Sequence, residues 1–563
     1  MIKCPMQAEK SSKEYMIYKD FSSKVEVFVS KMLSSYIPAS YREIKVIHDP
    51  VWGTIKFYPW ELQLLDSPLL QRLRNINQLG LAVLTYPSAH HSRFEHTLGV
   101  TALVTKMAES INDGHSLDGE VCVERADINK MRLAAVLHDV GHCFFSHLSE
   151  KMYGNTEEFS TLKTSFEIFK GAQPHEILGY IIINTPSFKD FFTAKVDYPD
   201  TVNADTFFDD LGRMIVGAPI DELYEVNGKT VKKYYLTEMI NGQFDADSLD
   251  YLRRDSYITG LSLTYHIDRF LYKIRLFDLG ETIDGKEITG RHLTVPESGV
   301  STVEEIVFGK QMLTRYIYQH QKVLATDALV YDIVSGLRLG GKLQHPSDFL
   351  YYCDDDIYKL YDESGDPDLR VPIYNMPIHS DSKKTISDVV RQIKQRDLPK
   401  KALVLNMANL MPVNAELALQ SAYNSVKAAM LSGGFRQEVR DEAVRICDKL
   451  GLNKDEIDLF DVFYSVPKPS VVKNYTDSFV ATHDGRFTAL SKVADLNDWA
   501  DEFSLRSWNS YVYSSSKLLS VISLAAKNVL EQRGLRFNED KLFANLKHCK
   551  EVEMLADRLK SLE

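Results

Sequence analysis

An adjacent His–Asp pair is set into the apolar run Met131-Arg-Leu-Ala-Ala-Val-Leu-His-Asp-Val-Gly-His142. Leu133, Val136, Leu137 and Val140 recur at helical spacing, and Gly141 offers a stop, so the run reads as a buried helix. A carboxylate and two imidazoles in such a place are costly unless they meet a counter-charge, a hydrogen-bond partner or a metal ion. The rest of the chain has to bring such groups to this segment, which constrains the fold more than any other stretch. His138 and His142 lie four residues apart, and on an uninterrupted helix they share a face. Spacing alone therefore reads them as two ligands of one metal. A lone His–Asp dipeptide is more often a hydrogen-bonded core histidine beside a helix-terminal Asp, so other residues must decide.

Periodicity gives the surrounding architecture. Helical patterning starts at Pro59, runs through Leu62, Leu65, Leu69, Leu70 and Leu73, and dominates to about Arg275. Residues 1–45 read as an amphipathic helical extension, with Val25, Val27, Phe28, Val29, Met32 and Leu33 as its apolar positions, packing onto the body or onto a second subunit. Ile47–Phe57, broken at Pro50 and Gly53, reads as a short hairpin. Asn227-Gly228, Asp284-Gly285 and Asp484-Gly485 are turn signals of the same kind. With 563 residues the chain is too long for one typical domain. We place a catalytic domain at 46–340 and a C-terminal lobe, regulatory or oligomerising, at 341–563. The softest boundary falls in the Asp-, Pro-, Gly- and Ser-rich span 340–390, which includes Asp362-Glu-Ser-Gly-Asp-Pro367. Asp354-Asp-Asp356 suits a helix N-terminus or a solvated turn better than a metal site. Beyond it, Lys384–Arg396 reads as an amphipathic helix, Ala402–Leu405 as a strand, and Trp508–Gln532 as a strongly apolar helix buried in the lobe or at an oligomer interface. The fold class expected is mainly α: a helical core with small β-hairpins and a mixed α/β C-terminal lobe.

A net charge of −12 argues against broad nucleic-acid binding, though it leaves room for a local basic groove. The cysteines at 4, 122, 143, 353, 447 and 549 form no CxxC pair, a reduced intracellular pattern. No apolar run is long enough for a membrane span and the N-terminus has no signal-like apolar region, so the cytoplasm is the expected compartment.

Other segments offer ligands to the His–Asp pair. His96 lies in Ser92-Arg-Phe-Glu-His-Thr-Leu-Gly99, and Asp247 in Gln243-Phe-Asp-Ala-Asp-Ser-Leu-Asp-Tyr-Leu-Arg-Arg-Asp255. With His138 and Asp139 they make a mixed N/O set that suits divalent Fe, Mn, Zn or Mg and leaves positions open for water and a phosphate oxygen. Arg93 precedes His96 by about one helical turn. His147 and His175 add imidazoles able to carry protons. Together they describe a cationic cleft.

Three ordered runs resemble the HD-domain deoxynucleoside triphosphate triphosphohydrolases: Gln71-Arg-Leu-Arg-Asn-Ile-Asn-Gln-Leu-Gly80, Tyr86–Val100 and Leu137-His-Asp-Val-Gly-His-Cys-Phe-Phe-Ser-His147. Pro174-His-Glu176, Asp247–Asp255 and Tyr318-Gln-His320 follow in register, and the likeness is strong from 47 to 335. The resemblance implies a helical HD phosphohydrolase core that cleaves a dNTP to deoxynucleoside and tripolyphosphate. It implies His96, His138, Asp139 and Asp247 as metal ligands. Arg93 and His147 would face the phosphates, and His142, His175 and Glu150 would form the acid–base set. Gln78 and Asp255 would hold the sugar 3′-hydroxyl, and Tyr251 and Tyr318 would wall the sugar. On this assignment His142 is not a ligand, unlike the reading from spacing. Lys310 stands where the vertebrate relatives carry a phosphate-binding Arg, and Ser248 where they carry a Lys; Lys310 keeps the charge but loses the bidentate fork. The resemblance also implies a homo-oligomer, dimer or tetramer, admits a nucleotide activator, and admits a defence role through dNTP depletion. Two other readings stay open: a phosphodiesterase or nucleotidase acting on another nucleotide or single-stranded nucleic acid, and a non-catalytic nucleotide sensor.

Overall fold

Buried charge organises the centre of the fold. In the computed structural model every residue of the Arg125–Leu137 helix from Asp127 onward is buried. A helix covered all round is the core element of its unit. Its polar residues survive there because each meets a partner: Arg132 donates to both Glu61 oxygens at 2.6 and 2.7 Å, Lys130 pairs with Asp210 at 3.2 Å, and Asp127 pairs with Lys233 at 2.9 Å. The structure describes all residues except 1–3, 6–7, 10, 116–122, 204–205, 227, 264, 284, 360–377, 379–381, 412–418, 456, 470–478, 483–486, 495 and 563.

The chain divides into two units, the first comprising residues 1–310, 343–357 and 473–496, the second 311–342, 358–472 and 497–563. The fold is mainly helical with small sheets, as the periodicity predicts. In the first unit the Arg93–His115 helix packs against Arg125–Leu137 on one side and Ala246–Thr259 on the other. Val100, Leu103, Val104, Met107 and Ile111, at i, i+3, i+4, i+7 and i+11, are fully buried along it, each worth ~1.5–3 kcal/mol. The Lys13–Leu33 helix buries Val25, Phe28, Val29 and Leu33 and packs onto helices of the same unit. Lys45–Asp49 and Gly53–Phe57 form the expected hairpin. The strand pairs Tyr224–Val226 with Lys229–Lys233, Arg275–Ile283 with Lys286–Pro296, and Phe479–Ala481 with Phe487–Ala489 are antiparallel. Their turn residues Asn227, Asp284, Asp484 and Gly485 lie outside the described residues, as do Cys122 and Asp362–Pro367.

The second unit is mixed α/β. Lys400–Leu405, Ser510–Ser514 and Phe463–Ser465 form a three-stranded antiparallel sheet with Ser510–Ser514 at its centre. The Ile386–Lys394 and Leu519–Gln532 helices belong to this unit, and the latter packs on Phe435–Leu450 and Cys549–Leu562. One expectation fails here: Trp508–Gln532 is not a single helix. Its first part is the central strand, buried at every position, and the helix begins only at Leu519. Tyr511, Val512 and Tyr513 are strong strand formers, and pairing with two distant segments overrides the local apolar pattern. Among the described residues no helix is long and apolar enough to cross a membrane.

Candidate metal centre and active site

The central helix ends at Leu137, with His138 as its C-cap, and residues 138–141 continue as a turn. The shared-face argument for His138 and His142 therefore does not apply, and the two rings part company. His138 lies with His96 and Asp139, while His142 lies with His147, Glu150 and His175.

In the first group His138 Nε2 is 3.3 Å from His96 Nε2 and 3.3 Å from Asp139 Oδ1. Asp247 Oδ1 is 2.9 Å from His96 Nε2, and Asp139 Oδ2 is 3.9 Å from it. Groups that share a cation at ~2.1 Å stand about 3 Å apart; His96, His138 and Asp139 are a group that could hold one metal ion, and Asp247 stands next to it against His96. The tautomers agree. His138 Nδ1–H donates to Ala135 O at 2.7 Å, and His96 Nδ1–H to Asp250 Oδ2 at 2.7 Å, so both Nε2 atoms turn lone pairs toward the same point. Burial pulls the His96 imidazole down, but Asp247 and Asp250 outweigh it and push it up to about 10. A field that favours a proton on His96 favours a divalent cation in its place.

A further layer holds these ligands. Asp250 accepts from Arg254 Nε at 2.8 Å and from the Trp52 indole N–H, and Arg254 reaches Asp49 at 2.8 Å. Asp49 also caps the Val51 and Trp52 amides, so the turn of the N-terminal hairpin buttresses His96. Gly99 makes room for this layer: a Cβ there would stand 1.9 Å from Asp250 Oδ1. Gly141, expected as a helix stop, is needed because a Cβ would stand 2.0 Å from His175 O, where the Pro174–Asn184 helix begins.

Asp139 joins the two groups. Its carboxylate accepts from Arg93 Nη1 at 3.1 Å and lies 3.3 Å from His142 Nε2. Burial would raise its pKa, but Arg93, His138 and His142 hold it well below the usual carboxylate range. In the second group the His142 and His175 rings stack with centroids 3.8 Å apart. Glu150 takes the His175 Nδ1–H through one oxygen and sits 3.0 Å from His147 Nδ1 through the other. Burial lowers His175, but Glu150 overrides it and lifts the imidazole to about 9. Burial, then the charges of Arg93 and His175, hold His142 well below its usual value. The two stacked rings are thus driven to opposite protonation states. His147, 60% exposed, marks the rim. Arg93 Nη2 and both His142 nitrogens are buried without a hydrogen-bond partner. Such groups are costly to leave unpaired, and both residues stand within 3.3 Å of the Asp139 carboxylate.

The remaining expected site residues fall in place or apart as follows. The Gln78 backbone N–H donates to His91 O at 2.9 Å, and His91 Nε2 lies 2.7 Å from Asp255 Oδ1, so His91 links the Gln78 backbone to Asp255. Lys310 Nζ lies 5.9 Å from the centre of the Tyr251 ring. Ser248 is buried and its amide is capped by Asp245. Tyr318 belongs to the second unit, at the end of the π-helical turn Thr314–Tyr318.

Sequence reasoning passed over His91, Asp250 and Arg254, although the last two lie in the run that carries Asp247. It also passed over Ser146 and underread Asp354. Phe145 and Ser146 adopt positive φ of 52° and 54°, a conformation that costs ~1–3 kcal/mol for such residues. Ser146 Oγ accepts from Arg93 Nε at 2.9 Å, and Asp354 accepts from the Phe145 amide at 2.6 Å and the Asn77 amide at 3.0 Å. Asp354 does begin a helix, as expected, yet it is buried rather than solvated. Its burial outweighs the two amides and raises its pKa to about 7. Between pH ~4 and 7 the unfolded chain has released this proton while the native protein keeps it, so this carboxyl contributes stability that falls as pH rises. Asp354→Asn removes the contribution. From pH 5 to 8 the melting temperature of the variant should gain on wild type by ~2 °C or more; a constant difference across that range would contradict the assignment.

Residues 93–190 match the HD-domain family. The matched segment carries Arg93, His96, His138, Asp139, His142 and His175. The chain is 31% identical over 288 residues to the uncharacterized protein MJ1154 of Methanocaldococcus jannaschii, covering 51% of this chain and 48% of that one. It is 26% identical over 303 residues to deoxynucleoside triphosphate triphosphohydrolase SAMHD1 of Mus musculus, covering 51% and 43%, and 26% identical over 313 residues to the Homo sapiens protein of the same name, covering 54% and 46%. The chain spans about half the length of the curated relatives it matches. A crystal structure of a hypothetical protein from Aquifex aeolicus superposes over 86% of this chain and all of its own with a TM-score of 0.53 at 20% identity, which concerns the fold alone.

Proposed function

We propose that this protein is a metal-dependent HD-domain phosphohydrolase that cleaves a dNTP to deoxynucleoside and tripolyphosphate. The observation that carries the proposal is the pair of histidine clusters bridged by Asp139, with the unpartnered Arg93 Nη2 beside the bridge. His96, His138, Asp139 and Asp247 would hold the divalent cation, Fe, Mn, Mg or Zn. When bound, such an ion polarises a phosphate oxygen and lowers the pKa of water.

The chain's own residues supply the rest. Arg93 offers a buried N–H to a phosphate oxygen, and His147 meets the phosphates at the rim. His142, held neutral, accepts a proton from the attacking water. His175, kept protonated by Glu150, gives its proton to the departing 5′-oxygen. The water oxygen bonds to the α-phosphorus, the bond from phosphorus to the 5′-oxygen breaks, and the triphosphate leaves with the added oxygen. Gln78 and Asp255 bind the 3′-hydroxyl, with Asp255 oriented by His91. Tyr251 walls the sugar, and Lys310 adds a point charge toward the phosphates. Catalysis belongs to residues 46–340, and 341–563 serve regulation or assembly, with a homo-oligomer and a nucleotide activator as parts of the same proposal.

One observation favours a second reading. Ser248 is buried and carries no charge where the triphosphate reading wants a cation, which leaves a phosphodiesterase or nucleotidase in play. Incubation with each dNTP, singly and mixed, in Mn²⁺ or Mg²⁺ separates the two. Deoxynucleoside plus intact tripolyphosphate is the expected product pair. Orthophosphate, pyrophosphate or a shortened nucleotide as first product would overturn the proposal in favour of the second reading.

A further inference from the structure

Asp354 is 2% exposed, and both its oxygens accept from main-chain N–H groups far from it in the chain: Oδ1 from Phe145 at 2.6 Å and Oδ2 from Asn77 at 3.0 Å. We propose, resting on the roles given above to Arg93 and Gln78, that Asp354 is a positioning residue of the active site, a clamp that keeps the phosphate-binding and sugar-binding groups in register. Its carboxylate acts through the two segments it joins and not on the substrate.

Each segment leads directly to a proposed substrate ligand. Phe145 precedes Ser146, whose Oγ accepts from Arg93 Nε at 2.9 Å and donates to Asn77 O at 2.8 Å. Asn77 lies between Ile76, whose carbonyl accepts from the Arg93 backbone N–H at 2.9 Å, and Gln78. One segment thus holds the Arg93 backbone and the other its guanidinium, and Asp354 ties the two together. The segments meet closely: a Cβ at Gly80 would stand 3.1 Å from Phe145 O. Aim matters here, because Arg93 Nη2 and Gln78 Oε1 are both buried without a hydrogen-bond partner, a donor and an acceptor left for substrate. The positive φ of Phe145 and Ser146 persists only where the surroundings over-determine it, and the bonds to Asp354 and from Ser146 Oγ supply that constraint.

The position calls for a carboxylate. Two N–H donors converge on it, so it must offer two acceptors; Asn offers one, and its NH2 group would face the second donor. Capping does not explain the residue, because the short helix Asp354–Tyr358 is capped by Asp356, which accepts from the Cys353 N–H at 3.0 Å.

The test compares Asp354→Asn with Asp355→Asn, the same change at the exposed neighbour, at pH 8, where a carboxyl raised to about 7 is ionised. Hydrogen exchange followed by mass spectrometry over residues 75–79 and 143–148 reads the clamp without substrate. Exchange there is expected to quicken ~tenfold or more in Asp354→Asn and to stay unchanged in Asp355→Asn. Kinetics separate positioning from folding. In Asp354→Asn, kcat/KM on a dNTP is expected to fall ~tenfold or more, and the preference for the dNTP over its 2′,3′-dideoxy analogue ~threefold or more, because Gln78 no longer meets the 3′-hydroxyl in register. Loss of folded protein would scale both substrates alike. Ser146→Ala leaves the Asp354 bonds in place and cuts the link to Arg93, so it should lower kcat/KM ~tenfold and keep the preference. It carries the test if Asp354→Asn does not fold, and a normal kcat/KM in it would then overturn the clamp. Unchanged exchange in Asp354→Asn, or quickened exchange with the preference unmoved, would also overturn it. Quickened exchange in a protein that turns over no dNTP would uphold the clamp and overturn the dNTP reading instead.

Discussion

Asp139→Ala is expected to strip the protein of the proposed metal and to lower turnover by about 10³-fold or more. The size of the effect follows from what the carboxylate does at once. It is 1% exposed, it completes the proposed ligand set with His96, His138 and Asp247, and it is the counter-ion of a buried guanidinium. Removing it leaves Arg93 without its ion-pair partner 3.1 Å away and places uncompensated positive charge where a cation should bind. Asp139→Asn is the sharper variant because it keeps the volume and an acceptor oxygen while removing the charge. Metal content by elemental analysis and initial rates on the dNTP found to be hydrolysed give the two readouts. Either variant retaining stoichiometric metal and near-normal turnover would remove Asp139 from the centre of the site, and the proposed function with it.

The legibility of this site in the sequence varied with the range of the interaction. His138 and Asp139 were readable because a charged pair in an apolar run announces a partner. Spacing alone then paired His138 with His142, on the premise of an unbroken helix. The helix stops at Leu137, and the four residues after it turn sharply enough to send the two imidazoles to different clusters. Nothing local records that stop, because Gly141 is small for the sake of the His175 carbonyl and not to end the helix. Asp250 holds His96 and is itself held by Arg254 four residues along the helix, yet a helix bearing so many charges looks solvated until its partners Asp49 and Trp52 are known. Asp354 meets Phe145 across some two hundred residues. The mainly helical class was legible from periodicity in the first unit. The strand Ser510–Ser514 was not, because its identity depends on two partner strands far away in the chain.

His175→Ala should behave differently from any change at Asp139: the metal stays and kcat falls by ~10²–10⁴-fold. His175 is outside the cluster of His96, His138 and Asp139, and its bond to Glu150 fixes Nδ1 as a donor. Its other ring nitrogen is the one available to the leaving oxygen. The expected pH dependence carries the signature of an acid rather than of a packing residue. With the imidazole lifted to about 9 by Glu150, the protonated form persists through neutrality, and activity declines as pH rises through about 9. Glu150→Gln removes the carboxylate that outweighs burial, so the proton is lost earlier and the alkaline limb moves to lower pH. His175→Ala abolishes the limb at a low residual rate, whereas a merely structural role would lower the whole profile without moving it. An alkaline limb unshifted in Glu150→Gln would assign the leaving-group proton to another residue, with neighbouring His142 excluded as donor by its lowered pKa.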